Sequence, residues 1–112
     1  MSEQLPSNPL WLRAAAEDSL APGQCRSVAA GGRQFCLVRL DAGFHALDDE
    51  CPHKGAPLGA GHLENGKVYC PMHGWCFHAT SGACESNPAK PARHYATKIE
   101  GGEVWIGVND KA

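Results

Sequence analysis

Cys51-Pro52-His53-Lys54-Gly55-Ala56-Pro57-Leu58 and Cys70-Pro71-Met72-His73-Gly74-Trp75 stand on either side of a short alternating segment, His62-Leu63-Glu64-Asn65-Gly66-Lys67-Val68-Tyr69. The middle segment decides how its flanks are placed. Asn65-Gly66 suits a two-residue type I′ turn, whose central positions both need φ > 0. His62 to Glu64 and Lys67 to Tyr69 then pair as antiparallel strands. An antiparallel hairpin returns the chain to its starting point, so the two Cys/His stretches are expected to meet at one tip of a sheet. Pro52 and Pro71, each directly after its Cys, restrict the backbone of both loops.

Working outward, the same kind of punctuation recurs. Gln24 to Ala30 and Arg33 to Leu40 are β-biased runs joined by Gly31-Gly32, and Asp41-Ala42-Gly43 turns into Phe44 to Leu47. Ser81-Gly82 and Gly101-Gly102 are further turn signals. In the last hairpin Tyr95, Thr97 and Ile99 share one face, as do Val104, Ile106 and Val108. Trp11 to Ala16 reads as a first edge strand, and Glu17 to Gly23 as a turn. No stretch of ten residues carries helical periodicity. The 112-residue chain contains 13 Gly and 8 Pro without a three-residue period, and 43% of it is hydrophobic, so it is neither collagen-like nor disordered. These features predict an all-β fold, an antiparallel sandwich or small barrel. Residues 1–9 read as a flexible N-terminal arm and 10–112 as a single domain.

Charge and termini narrow the function. Ten basic against twelve acidic residues give a formal net charge of −2, which leaves no basic excess for nucleic acid or an anionic membrane. The first residues carry no basic and apolar leader, and no apolar run approaches the ~18 residues of a membrane helix. A cytoplasmic chain is expected, in which clustered cysteines are metal ligands more often than disulfides. Most of the six Cys and six His lie between Cys51 and Cys84.

The ligand pattern is Cys-x-His, sixteen residues, Cys-x-x-His. Three readings of Cys51, His53, Cys70 and His73 stay open on the residues alone. They are a chance gathering, a structural Zn²⁺ site, or a [2Fe–2S] cluster with two thiolates on one iron and two imidazoles on the other. Zinc sites of this composition usually pair two Cys in one knuckle and two His in the other. The interleaved order here, one Cys and one His per loop, supplies each iron from both loops.

The sequence resembles the Rieske-type ferredoxins over Trp11 to Val108. The resemblance rests on the ligand motifs, Gly55 to Leu58, His73 to Trp75, the Thr80-Ser81-Gly82 turn and the Pro-bearing segment Asn87 to Pro91. It implies a Rieske-type antiparallel β-sandwich with a small cluster-binding subdomain at about residues 48–91, and one [2Fe–2S] cluster. It also implies that Cys51 and Cys70 bind the inner iron, and His53 and His73 the outer one. Neutral imidazoles put less negative charge on the cluster than thiolates and raise its potential. The high-potential branch of the family carries a bracing disulfide, where this chain has Ala56 and Met72. That branch also has hydroxyl donors after the second His, where this chain has Trp75 and Phe77. Fewer donors to sulfur, together with Asp48-Asp49-Glu50, predict a potential in the lower part of the roughly −150 to +300 mV Rieske range.

Nothing catalytic stands out: there is no nucleophile elbow, phosphate loop or dinucleotide glycine motif. What the resemblance implies is a soluble one-electron carrier between a flavin reductase and a terminal oxygenase, monomeric when free. The alternative is the Rieske-like small subunit of an assimilatory nitrite reductase, with the large subunit as electron acceptor. A detached oxygenase domain would need a following mononuclear-iron domain, which is not expected in 112 residues. Cys25, Cys36, Cys76 and Cys84 read as small hydrophobes, His45, His62, His78 and His94 as structural or surface residues, and Asp48 to Glu50 as a solvated turn. Trp75 reads equally as a shield of the cluster edge or part of a docking face. Pro88 to Pro91 carries over the family's role of a rigid cover. The loops at 51–58 and 70–77 bury little apolar surface, so their order should depend on the metal.

Overall fold

The computed structural model describes residues 9–51, 56–71 and 74–109. Alternation of apolar and polar residues sets nine strands: β1 (Pro9–Ala16), β2 (Gln24–Ala30), β3 (Arg33–Leu40), β4 (Gly43–Asp48), β5 (His62–Glu64), β6 (Lys67–Tyr69), β7 (Cys76–His78), β8 (His94–Glu100) and β9 (Glu103–Asn109). Two 3₁₀ turns, Glu17–Ser19 and Leu58–Ala60, are the only helical pieces among the described residues. All pairings are antiparallel. One sheet runs β1-β9-β8-β4-β3-β2 and a second β5-β6-β7. The expected hairpins are all present, and β2 and β3 have the expected boundaries. Asn65 and Gly66 have φ of +55° and +76°, the pair of left-handed conformations that a type I′ turn needs.

The large sheet curls until its edges approach. Its first strand is irregular between Arg13 and Ala15, and such bulges add twist. Leu12 of β1 then lies against the β2–β3 turn, where a Cβ on Gly31 would come within 2.8 Å of it. The space enclosed is filled by Leu20, Val28, Phe35, Leu37, Phe44, Tyr95, Val104, Ile106 and Val108. Of the expected last-hairpin faces, Val104, Ile106 and Val108 are buried, but Ile99 is 48% exposed because it sits at the open end of β8.

A second core lies on the other side of β3. Because side chains alternate, Phe35 and Leu37 enter the first core while Cys36 and Val38 enter the second. This explains why β3 is apolar at consecutive positions Phe35 to Val38 rather than alternating. The second core joins β3 and β4 to the small sheet through Leu47, Leu58, Val68, Phe77, Ala79 and Cys84. Each large side chain so buried, such as Phe77, stabilises by roughly 1.5–3 kcal/mol. The small sheet and its loops are thereby held on the flank of the larger one. The N-terminal arm, apart from Pro9 at the start of β1, lies outside the described residues.

Candidate metal centre

The two Cys-bearing loops are closed in the same way. The Cys51 N–H donates to the Ala56 carbonyl at 2.9 Å, and the Cys70 N–H donates to the Trp75 carbonyl at 2.7 Å. In each loop a cysteine amide is thus tied to the carbonyl five residues on, and the cysteine forms one foot of the loop. The first loop is braced again by a Glu50–Pro57 bridge and by the Leu58 N–H donating to the Asp49 carbonyl at 2.6 Å. The second is tightened by the Gly74 N–H, which donates to the Cys70 carbonyl at 3.0 Å.

Cys51 and Cys70 are 1% and 3% exposed and belong to one apolar cluster with Ala56, Leu58, Val68 and Phe77. The β5–β6 hairpin brings both feet to that cluster, as the turn chemistry predicts. A thiolate in such surroundings is costly unless a cation offsets its charge. Two buried sulfurs at matching feet of two closed loops, each loop containing a histidine in sequence, fit an iron–sulfur group held from both sides. His53 and His73 lie outside the described residues, as do Pro52, Lys54, Gly55 and Met72. Trp75 is half-buried and packs on the same cluster as the two cysteines.

The acidic run before Cys51 is not the solvated turn that its composition suggests. Asp49 is 5% exposed. Its carboxylate accepts from the Ser27 hydroxyl at 2.8 and 3.0 Å and from the Gly59 N–H at 2.8 Å. It therefore bridges β2 to the 3₁₀ turn that follows the first loop. Gly59 makes this contact possible, since a Cβ there would lie 2.1 Å from the Ser27 nitrogen. Asp48 accepts from the Tyr95 hydroxyl at 2.5 Å, and that hydroxyl accepts from Arg33 at 2.9 Å. Burial and the Asp48 hydrogen bond push the Tyr95 phenol up from its ordinary value. Only Glu50 of the three is exposed. Sequence reasoning missed Asp49, Ser27 and Gly59. The available signal was Ser27, a hydroxyl on the same face of β2 as Cys25.

The remaining candidates have structural partners. His62 stacks on Tyr69 with ring centroids 4.7 Å apart, and His78 meets Glu85 at 2.8 Å. His45 and His94 lie within 3.3 Å of each other. Lys67 and His78 hold the Glu85 carboxyl below its ordinary value, with the Lys67 hydrogen bond the largest cause. No two cysteines form a disulfide. Cys84 accepts the Asn87 N–H at 3.3 Å, which starts a tight turn completed by Asn87 Oδ1 accepting the Ala89 N–H at 3.1 Å. Pro91, past that turn, lines an open cleft of about 660 Å³ with Arg33, Asp48, Glu50 and Pro57, beside the first loop.

The profile of the Rieske [2Fe-2S] domain family matches residues 10–103. The chain belongs to this family. As a Rieske domain it carries one Rieske-type [2Fe–2S] cluster. It is 30% identical to the ferredoxin CarAc of Metapseudomonas resinovorans over 106 residues, covering 93% of this chain and 99% of that protein. It is 35% identical to the ferredoxin component of the alkene monooxygenase system of Xanthobacter autotrophicus, over 87% of this chain and 80% of that one. A higher identity, 40% over 94 residues, links it to human apoptosis-inducing factor 3, but the chain spans only 16% of that protein's length.

Among solved structures, the Rieske fold aligns with a chain from a complex of reduced oxygenase and oxidised ferredoxin in carbazole 1,9a-dioxygenase. The TM-score is 0.80 at 30% identity, over 94% of this chain and 99% of that one. A structure described as an NADH-dependent nitrite reductase small subunit from Mycobacterium tuberculosis aligns with TM-score 0.82 at 26% identity, over 91% and 97% of the two chains.

Proposed function

We propose that this Rieske protein is a one-electron carrier, a ferredoxin that accepts an electron from a flavin reductase and delivers it to a terminal oxygenase. Cys51, His53, Cys70 and His73 are the proposed ligands. The observation that carries the reading is the near end-to-end correspondence with the ferredoxin CarAc, at 93% of this chain and 99% of that one. It is joined by two matched loops whose cysteine feet share one buried cluster. When bound, the [2Fe–2S] group stores and releases a single electron. The chain's own part is to hold that group and to keep water from the sulfurs. Cys51 and Cys70 are anchored in the second core, and Trp75 packs over the same cluster. Phe77 is fully buried and has no hydroxyl to donate toward sulfur, which disfavours the more negative reduced form. The stretches bearing His53 and His73, with Lys54, Pro57, Trp75 and Pro88, form the proposed docking face. Contacts of this kind are small, below about 1,200 Å².

In the same reading, residues 10–112 form one domain with its cluster-binding part at about 48–91, and the protein is a cytoplasmic monomer when free. No helix among the described residues is long and apolar enough to cross a membrane. A second reading, the small subunit of a nitrite reductase, is favoured by the alignment with TM-score 0.82 to the structure described in those terms.

The following measurements test this. Iron and acid-labile sulfide should be present in the purified protein, and His53→Ser and His73→Ser should each abolish the native spectrum; an unchanged spectrum in both would falsify the ligand assignment. Stopped-flow mixing should then show reduction by a flavin reductase and reoxidation by a terminal oxygenase, with the free protein eluting as a monomer. Isolation of the native protein in a permanent complex with a nitrite reductase large subunit would replace the carrier by the second reading.

A further inference from the structure

Across the β2–β3 ladder, Cys25 stands opposite Val38 and Cys36 opposite Ser27. Alternation puts Cys25, Ser27, Cys36 and Val38 on one side of this strand pair, the side that faces the second core. Cys25 and Cys36 are therefore diagonal cross-strand neighbours, and their thiols hydrogen-bond to each other. The carrier reading uses neither residue.

The two thiols differ in access. Cys36 is fully buried. Cys25 is half-buried and lines an open cleft of about 300 Å³ with Gln24, Arg26, His62 and Leu63. Arg26 is exposed on β2 at the rim of that cleft, with its guanidinium donating to the Ser19 carbonyl at 3.0 Å.

We propose that Cys25 and Cys36 form a reversible thiol–disulfide couple that exchanges with low-molecular-weight disulfides of the glutathione class, Cys25 attacking and Cys36 resolving. In the first step the Cys25 thiolate attacks one sulfur of glutathione disulfide. The glutathione S–S bond breaks, a bond from Cys25 to one glutathionyl sulfur forms, and one glutathione leaves as a thiolate. In the second step the Cys36 sulfur attacks Cys25 Sγ, the mixed disulfide breaks, and the second glutathione leaves. Two protein thiols are oxidised to one disulfide and one glutathione disulfide is reduced to two thiols. The protons from Cys25 and Cys36 end on the two released glutathiones.

Two physical features support this order. The hydrogen bond from Cys36 holds the Cys25 thiol below its ordinary value, while the same bond and burial push Cys36 far up. The more accessible thiol is thus also the readier thiolate. Arg26 places a positive charge where the carboxylates of glutathione approach.

The test uses the cluster-containing protein in glutathione buffers of increasing oxidised fraction, quenched with acid and N-ethylmaleimide and mapped by tryptic mass spectrometry. The expected product joins the peptide ending at Arg26 to the peptide Gln34 to Arg39, while Cys76 and Cys84 remain alkylated. Cys36→Ser should accumulate a glutathionyl group on Cys25, and Cys36→Ala serves if the serine disturbs folding. In Cys25→Ser, modification of Cys36 should be at least about tenfold slower, since its sulfur is buried. If the wild-type peptides remain separately alkylated at every ratio, or if Cys76 or Cys84 reacts before Cys25, the couple does not exist. The visible spectrum of the same samples reports the cluster separately, so loss of metal is not mistaken for thiol exchange.

Discussion

Replacing Asp49 with Ala should loosen the first Cys-bearing loop more than any exposed substitution nearby. The carboxylate accepts from two groups, the Ser27 hydroxyl at 2.8 and 3.0 Å and the Gly59 N–H at 2.8 Å, in a position 5% exposed. A hydrogen bond to a charged group contributes about 1.5–3 kcal/mol, and a stranded buried donor costs about 1–3 kcal/mol. The Ser27 hydroxyl can turn elsewhere, so the larger share falls on the Gly59 N–H. A net loss of about 3 kcal/mol follows, a large part of a typical 5–15 kcal/mol stability. At 1.4 kcal/mol per tenfold, that is about a hundredfold loss of protection of the Gly59 amide in native-state hydrogen exchange. The measurement belongs on the cluster-containing protein, by mass spectrometry of the peptide spanning the Leu58–Ala60 turn, because metal loss makes global unfolding irreversible. Asp49→Asn keeps a neutral acceptor and should lose about half as much free energy. If Asp49→Ala leaves Gly59 exchange within a factor of about two of wild type, the bridge does not hold the loop, and the account of how Cys51 is positioned fails.

Gly59→Ala should be worse tolerated than Asp49→Asn, because its Cβ would come within 2.1 Å of a backbone nitrogen on β2. The expected outcome is an expressed protein with reduced iron content, checked by iron-to-protein ratio. The Tyr95 phenol is raised by burial and by Asp48. A raised folded value means stability that is fully present below the unfolded tyrosine value and lost as pH rises from there through the higher folded value. Wild type should therefore lose stability as pH climbs past the ordinary tyrosine range, and Tyr95→Phe should lose less over the same interval in urea titrations. The midpoint potential should fall in the lower part of the roughly −150 to +300 mV Rieske range, and a spectroelectrochemical midpoint well above zero contradicts the role given to Trp75 and Phe77. Removal of metal should leave the strands, β7 with its buried Phe77 included, but open residues 51–58 and 70–75 to protease. Equal resistance of both forms there would show that the loops are ordered without it.

Local chemistry alone determined much of this protein. The turns at Gly31-Gly32, Asn65-Gly66 and Gly101-Gly102 depend on backbone conformations that few residues adopt, so the hairpins they close were legible. The convergence of Cys51 and Cys70 followed from the hairpin between them, and the shared burial of the two thiols agrees with it. The histidine partners stay at the level of sequence, since His53 and His73 lie outside the described residues.

What needed the tertiary structure was every contact between residues far apart in sequence. Alternation says which residues of β3 share a face, but not that both faces are covered, because the second cover comes from the small sheet packed on its flank. Composition places Asp48-Asp49-Glu50 in water. The fold instead sets Asp49 between Ser27 and Gly59, where two donors offset the cost of burying its charge. Cys25 and Cys36 look like scattered small hydrophobes until the register of β2 on β3 makes them diagonal neighbours on one face. The Gly31-Gly32 hairpin already implies that register; what no window of sequence around either cysteine contains is that this face of the pair is covered by the second core.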